Sequence, residues 1–125
     1  MNHFRVAAGV LVSSFACSNL ASAQSQPITV YCTSITENDK SASDGFQLTD
    51  AASILRQDRA NFHKFGYRDA GDESDSYFTS AGNRARLPDM LASGVTDESV
   101  LRRIVRETPH VCVNVFNGWI DVTLD

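Results

Sequence analysis

This sequence has few of the residues that mark common catalytic and metal-binding sites. Three histidines and three cysteines occur in 125 residues, without a Cys-x-x-Cys pair or a His-Glu-x-x-His motif. A Gly-x-Ser-x-Gly motif and a glycine-rich phosphate loop are also absent. These absences argue against dithiol redox enzymes, zinc hydrolases and nucleotide-binding enzymes. We therefore expect no cofactor and favour a non-enzymatic function.

Basic residues are scarce relative to acidic ones. Lys and Arg total 11 against 15 Asp and Glu, a formal net charge of −4 at pH 7. Binding to nucleic acid needs clusters of Lys and Arg opposite the phosphates, and adsorption to anionic lipid depends on the same charges. The composition therefore argues against a nucleic-acid partner and against membrane contact.

The sequence has one long hydrophobic run, and it lies at the N-terminus. Arg5 precedes the apolar and small residues 6–16, and Ala21-Ser22-Ala23 offers small residues to a signal peptidase. The run is too short for a permanent membrane helix. We predict a signal peptide over residues 1–23 and a single exported α+β domain over residues 24–125, periplasmic or secreted.

Removal of that signal peptide takes Cys17 and leaves Cys32 and Cys112. An even pair in an exported protein predicts a disulfide. Closing a loop of about 80 residues would stabilise the fold by ~4.5 kcal/mol in the chain-entropy model. The alternative is that Cys17 is a lipid-modified first residue, but Ser14 stands where such sites usually have Leu.

Hydrophobic periodicity predicts a small single domain of the α+β class. It has an N-terminal strand, two main helices with short helical pieces between them, and a C-terminal β-hairpin. The expected spans are a strand over 28–36, a helix from Thr49 or Asp50 to about Phe65, short pieces over 77–94 with Pro88 opening a turn, and a helix from Thr96 or Asp97 to about Thr108.

The hairpin is the clearest local signal. Asn117-Gly118 joins two alternating segments, and both residues tolerate the positive φ that a two-residue turn demands. This turn sets the register, so one face is continuously apolar and must be core. The apolar face is predicted to hold Val111, Val113, Val115, Ile120, Val122 and Leu124.

The sequence pattern is compatible with two positions of the first strand. Cys112 lies on the mixed face of the hairpin, whereas Cys32 shares a strand face with Ile28 and Val30. Either that strand is covered on both faces, or it meets the hairpin at its edge or end.

Phe116 and Trp119 form the predicted binding site. They face each other beside the turn, on the side that also carries Asn114 and Asp121. Two exposed aromatic residues are typical anchors for a protein partner. The alternative is that the first strand, or the segment with Tyr77 and Phe78, covers them.

An acidic loop is the candidate metal site. Asp69, Asp72, Glu73 and Asp75 could supply converging oxygens to calcium, although their spacing is not that of an EF-hand. The alternative is a solvated loop in which Asp75 caps a short helix.

Asp58, Asn61 and His63 are the polar residues of interest on the first helix. Asp58 and Asn61 interrupt its apolar stripe, which favours a hydrogen-bonded link to a neighbouring loop over a catalytic site. The alternative is a minor hydrolase or a calcium-dependent enzyme that uses Asp58, His63 or the acidic loop.

Residues 96–124 resemble part of a BON repeat, a small envelope module. The resemblance lies in Asp97 opening a helix, in Val111-Cys-Val-Asn-Val115, and in Ile120-Asp-Val-Thr-Leu124 after Asn117-Gly118. It covers about a quarter of the chain and implies association with phospholipid. We favour instead a small exported, disulfide-linked protein of the bacterial cell envelope that binds a protein partner as an inhibitor, an immunity factor or an assembly accessory.

Overall fold

The computed structural model describes residues 7–16 and 25–125. Residues 7–16 have no regular secondary structure. Cys17 and the predicted cleavage site at residues 21–23 lie outside the described residues. Across both described ranges, no helix is both long enough and apolar enough to cross a membrane.

The domain is α+β, as predicted, with one antiparallel sheet of three strands and four helices in the described part of the chain. A 3₁₀ turn, Glu37–Lys40, follows the first strand, and a π-helical turn, Asn61–Phe65, continues the first helix. The elements are β1 (Thr29–Ser34), α1 (Ala51–Ala60), α2 (Ala81–Ala85), α3 (Leu87–Ser93), α4 (Glu98–Arg106), β2 (His110–Val115) and β3 (Ile120–Leu124).

The helix boundaries follow from local capping. The Asp50 carboxylate accepts from the Ser53 N–H at 2.9 Å and begins α1, because it satisfies a backbone donor that has no intrahelical partner. Asp97 does the same for α4. Pro88 lies in the first turn of α3, where its missing N–H costs little. Gly66, at φ 70°, ends the π-helical turn.

The sheet has the order β1-β2-β3. The hairpin register is the predicted one, with Val115 opposite Ile120 and Val113 opposite Val122. β1 pairs with the free edge of β2, and Cys32 lies directly opposite Cys112. Of the alternatives for the first strand, the structure therefore shows the edge of the hairpin.

The core lies between the inner face of the sheet and the helices. It includes the predicted hairpin residues apart from Leu124, which is 38% exposed at the end of β3. Each fully buried Leu, Ile or Val stabilises the fold by about 1.5–3 kcal/mol relative to exposure. The largest buried apolar members are Tyr31, Ile35, Ile54, Leu55, Phe78, Leu87, Met90, Ile104 and Ile120.

Candidate functional site

The outer sheet face is not covered by the helical layer. We use this name for Ile28, Val30, Cys32, Cys112, Asn114, Phe116, Trp119, Asp121 and Thr123. Tyr31 and Thr33 of β1 turn inward and are buried, so the alternate residues Ile28 and Val30 turn outward and are 53% and 51% exposed. An exposed apolar strip on an antiparallel sheet calls for an explanation, since such a face is usually polar.

Phe116 and Trp119 lie at one end of this face. Their rings stack in parallel, with centroids 4.8 Å apart and an interplanar angle of 8°. Both side chains are half-buried. Tyr77 and Phe78 were the alternative cover for Phe116 and Trp119. They contact each other edge to face, and Phe78 packs edge to face against the ring of Tyr31 in the core.

Asn114 and Asp121 lie opposite each other in the next row of the same face. All four predicted binding residues are thus brought together. Asp121 has a structural contact as well, because its Oδ1 accepts from the Val95 N–H at 2.8 Å.

The loop that Asp121 holds covers the outer edge of β3. The Thr96 hydroxyl accepts from the Val122 N–H at 3.0 Å. Gly94 packs so close that a Cβ there would lie 1.9 Å from the Ile120 carbonyl oxygen. Strand addition at this part of the edge is therefore blocked.

The acidic loop, residues 67–76, covers the edge of β1 in a similar way. Glu73 accepts from the Cys32 N–H at 2.6 Å, and the Glu73 N–H donates to the Cys32 carbonyl at 2.9 Å. Asp72 accepts from the Ser34 N–H at 2.9 Å. Asp69 accepts from the Thr36 hydroxyl at 2.8 Å. The carboxylates act here as hydrogen-bond acceptors for an edge strand.

Asp75, the last of the predicted metal ligands, points into the interior. Its oxygens accept from Arg59 Nη1 at 2.9 Å and from the N–H groups of Tyr77 and Phe78. His63 Nε2 lies 2.7 Å from the same carboxylate. Burial raises the pKa of Asp75, but the hydrogen bonds from His63, Phe78 and Arg59 outweigh it and hold the pKa below its usual range. A calcium ion at the acidic loop would compete with these protein donors.

A buried ionic cluster joins α1 to the acidic loop and to β1; it consists of Thr33, Asp58, Arg59, His63 and Asp75. Arg59 is completely buried, donates to Asp58 and Asp75, and stacks its guanidinium 4.0 Å from the centroid of the Tyr31 ring. Burying this cation requires such partners, because an unpaired buried charge is very costly.

The contacts of the Thr33 hydroxyl bear on the protonation of this cluster. Its oxygen is 2.8 Å from Asp58 Oδ1, 2.9 Å from Asp72 Oδ1 and 3.1 Å from Arg59 Nη2. A hydroxyl has one hydrogen and cannot donate to both carboxylates. Every contact is satisfied if Asp58 is protonated and donates to Thr33 while Thr33 donates to Asp72. Burial, partly offset by Arg59, raises the pKa of Asp58 to about 7, in agreement with this assignment.

The cluster holds an Asp–His pair, which is half of a common catalytic arrangement. Within the described residues, Asp75 is the one side chain that hydrogen-bonds to His63, so no hydroxyl or thiol nucleophile adjoins the imidazole. Asn61 donates to the Asn38 carbonyl and to Asp39, as expected for a link to a neighbouring loop. These polar groups thus connect elements of the fold.

The Cys32–Cys112 disulfide is present and links residues 80 apart in sequence. The two sulfurs and an Asp125 carboxylate oxygen lie within 4.8 Å of one another. Both sulfurs are bonded to each other rather than available as thiolates, so this group does not have the chemistry of a metal site. The bridge joins β1 to β2 on the outer sheet face.

The burial of Arg59 and the exposure of Ile28 and Val30 were not predicted from the sequence. Arg59 follows Asp58 directly, and neighbouring charged residues on a helix normally face solvent. The alternation along β1 places Tyr31, Thr33 and Ile35 on one face, and these residues are the buried ones. The opposite face, with Ile28 and Val30, is about equally apolar, so the alternation alone does not show which face is buried.

No known protein-family model matches the chain, and no curated protein or solved structure matches it significantly. The partial resemblance of residues 96–124 to a BON repeat therefore receives no support from these comparisons.

Proposed function

We propose that this protein is an exported, non-enzymatic binding protein of the bacterial cell envelope whose outer sheet face docks a protein partner. The observation that carries the proposal is the open face itself. Helices cover the other side of the sheet, while Ile28, Val30 and the Phe116–Trp119 stack stay accessible. The disulfide is consistent with an oxidising compartment.

The covered edges support docking by side chains rather than by strand addition. The acidic loop bonds to β1 at Cys32 and Ser34, and residues 94–96 bond to β3 at Val122. A partner would meet the flat face and insert side chains around the aromatic stack. A few aromatic residues that become buried on binding typically dominate the energy of an interface. An inhibitor, an immunity factor or an assembly accessory would bind in this way.

Site-specific photo-crosslinking in the native host tests this proposal. A photoreactive residue at Val30 or Thr123 reports on the outer sheet face, and one at Glu98 or Arg102 on exposed α4 serves as the control. We expect one adduct of defined mass from the outer-face positions and none from α4.

The aromatic stack is then tested in the same cells. The variant Phe116→Ser/Trp119→Ser should lose the adduct while its far-ultraviolet circular dichroism stays unchanged. The proposal is wrong if the outer-face positions give no adduct, or if α4 gives the same adduct as they do.

A further inference from the structure

A concave surface lies on the helical side of the sheet. Its floor is the outward side of α1 and the following turn, and its walls are the loop 42–48 and the α2–α3 segment. We call it the α1 groove, defined by Ser43, Ser53, Arg56, Lys64, Phe65 and Arg84. Its volume is about 480 Å³, within the range of small-molecule sites.

The charge of the α1 groove is opposite to that of the protein. Arg56, Lys64 and Arg84 line it, against the single carboxylate of Asp44. In the part of the chain that the structure describes, none of these three cations has a carboxylate within 4.0 Å. Unpaired cations converging on one groove of a chain with net charge −4 favour an anionic ligand.

Arg84 is held rigidly in place. It is 7% exposed, and its Nη1 donates to the carbonyl groups of Phe78 at 2.9 Å and Thr79 at 3.0 Å. A guanidinium has five N–H donors, so three remain on Nε and Nη2. Among the described residues, Tyr31 Oη is the one fully buried side-chain polar atom without a partner. The free nitrogens of Arg84 therefore reach solvent at the groove that this residue lines.

These observations specify the ligand chemistry. A guanidinium fixed by two carbonyl groups presents its fork to an oxyanion with little loss of side-chain entropy. Arg56 and Lys64 add charge from exposed positions on the floor. Leu48, Phe65 and Pro88 also line the groove and offer apolar contact.

We propose that the α1 groove binds a small organic anion. Its phosphate or carboxylate group would pair with Arg84 and Arg56, and its apolar body would lie against Phe65. This site lies on the helical side, so its occupancy is independent of docking at the outer sheet face, and each proposal can fail without the other.

The test is a titration of the ¹⁵N-labelled exported domain, residues 24–125 with the disulfide intact, at neutral pH. Phenyl phosphate and benzoate compare a phosphate with a carboxylate on the same aromatic ring. Inorganic phosphate has the charge without an apolar body, and phenol has the aromatic ring without the charge. We expect phenyl phosphate or benzoate to shift the amide resonances of residues 53–65 and 78–84, and phenol to leave them in place.

Two matched variants separate a site from general electrostatic attraction. Arg56→Gln/Lys64→Gln removes two exposed cations from the groove, and Arg102→Gln/Arg106→Gln removes two from α4. A charge-assisted contact worth about 1.4 kcal/mol is tenfold in affinity, so we expect the groove variant to bind at least about tenfold more weakly and the α4 variant to bind like the wild type.

Arg84→Lys keeps the charge but not the fork, and its backbone resonances show whether the fold is intact. In a folded Arg84→Lys variant we expect a similar tenfold loss. The proposal is overturned if neither anion shifts the groove resonances up to its solubility limit, or if the groove and α4 variants weaken binding equally.

Discussion

Replacing Asp58 by Asn should be tolerated, although Asp58 lies 2.8 Å from the buried guanidinium of Arg59. Removing one partner of a buried ion pair typically costs about 3–5 kcal/mol. Asp58 is different because the geometry at Thr33 calls for its protonated form. An amide reproduces that form, since its N–H₂ donates to Thr33 and its oxygen accepts from Arg59 Nε.

The raised pKa of Asp58 determines how much the stability of the fold should change with pH. Burial is the main cause that raises the pKa of Asp58 to about 7 in the folded state, above its ordinary value in an unfolded chain. The folded state therefore holds this proton more tightly than the unfolded state, and stability falls as pH rises between the two pKa values. At about 1.4 kcal/mol per tenfold difference in proton affinity, Asp58 should remove about 2–3 kcal/mol of stability between about pH 5 and pH 8.

Two other groups change stability in the same direction. Burial raises the pKa of Asp39 to about 6, and the Gly71 carbonyl, aided by Asp125, raises the pKa of His110. Their contributions are present at low pH and lost as pH rises through their folded-state pKa values. Asp58→Asn should therefore flatten the fall in stability toward pH 8 without abolishing it.

Urea unfolding of the oxidised protein across this pH range, followed by Trp119 fluorescence, measures the effect. The matched control is Asp50→Asn, the same chemical change at an exposed helix cap where Asn serves equally well. It should leave the slope unchanged. If Asp58→Asn instead loses about 3 kcal/mol or more at every pH with an unchanged slope, Asp58 is ionised and paired with Arg59, and our proton assignment is refuted.

Three further outcomes are expected. Tyr31→Phe should leave the free energy of unfolding unchanged or raise it by about 1–2 kcal/mol, because the Tyr31 hydroxyl is buried without a partner; a loss of stability in urea unfolding would show that the hydroxyl is bonded. Cys32→Ser/Cys112→Ser should lower that free energy by about 4 kcal/mol, and an unchanged melting temperature would contradict this. Millimolar calcium should leave the melting temperature unchanged, since the carboxylates of the acidic loop already accept protein hydrogen bonds. A clear rise in the melting temperature would instead support the predicted calcium site.

Features that depend on a few neighbouring residues were predictable from the amino-acid sequence. Asn117-Gly118 predicted the hairpin register correctly, because a two-residue turn allows one pairing of the strands on either side of it. The prediction of positive φ holds for Gly118, at 96°, and was wrong for Asn117. Asp50 and Asp97 marked the helix starts, because a capping carboxylate satisfies local backbone donors. An even pair of cysteines in a predicted exported chain was enough to predict the disulfide.

Which surfaces the helices and loops cover depends on the tertiary structure. Alternation along β1 shows that Val30 and Tyr31 face opposite ways, but the helices determine which of them is buried. The burial of Arg59 depends on Asp75, 16 residues away, and on Thr33, 26 residues away. Helical periodicity does not encode such pairings, because the partners meet only when the acidic loop closes over the edge of the sheet. The two proposed binding surfaces follow from the same packing, because the helices of the described residues, 7–16 and 25–125, leave one face of the sheet and one side of α1 uncovered.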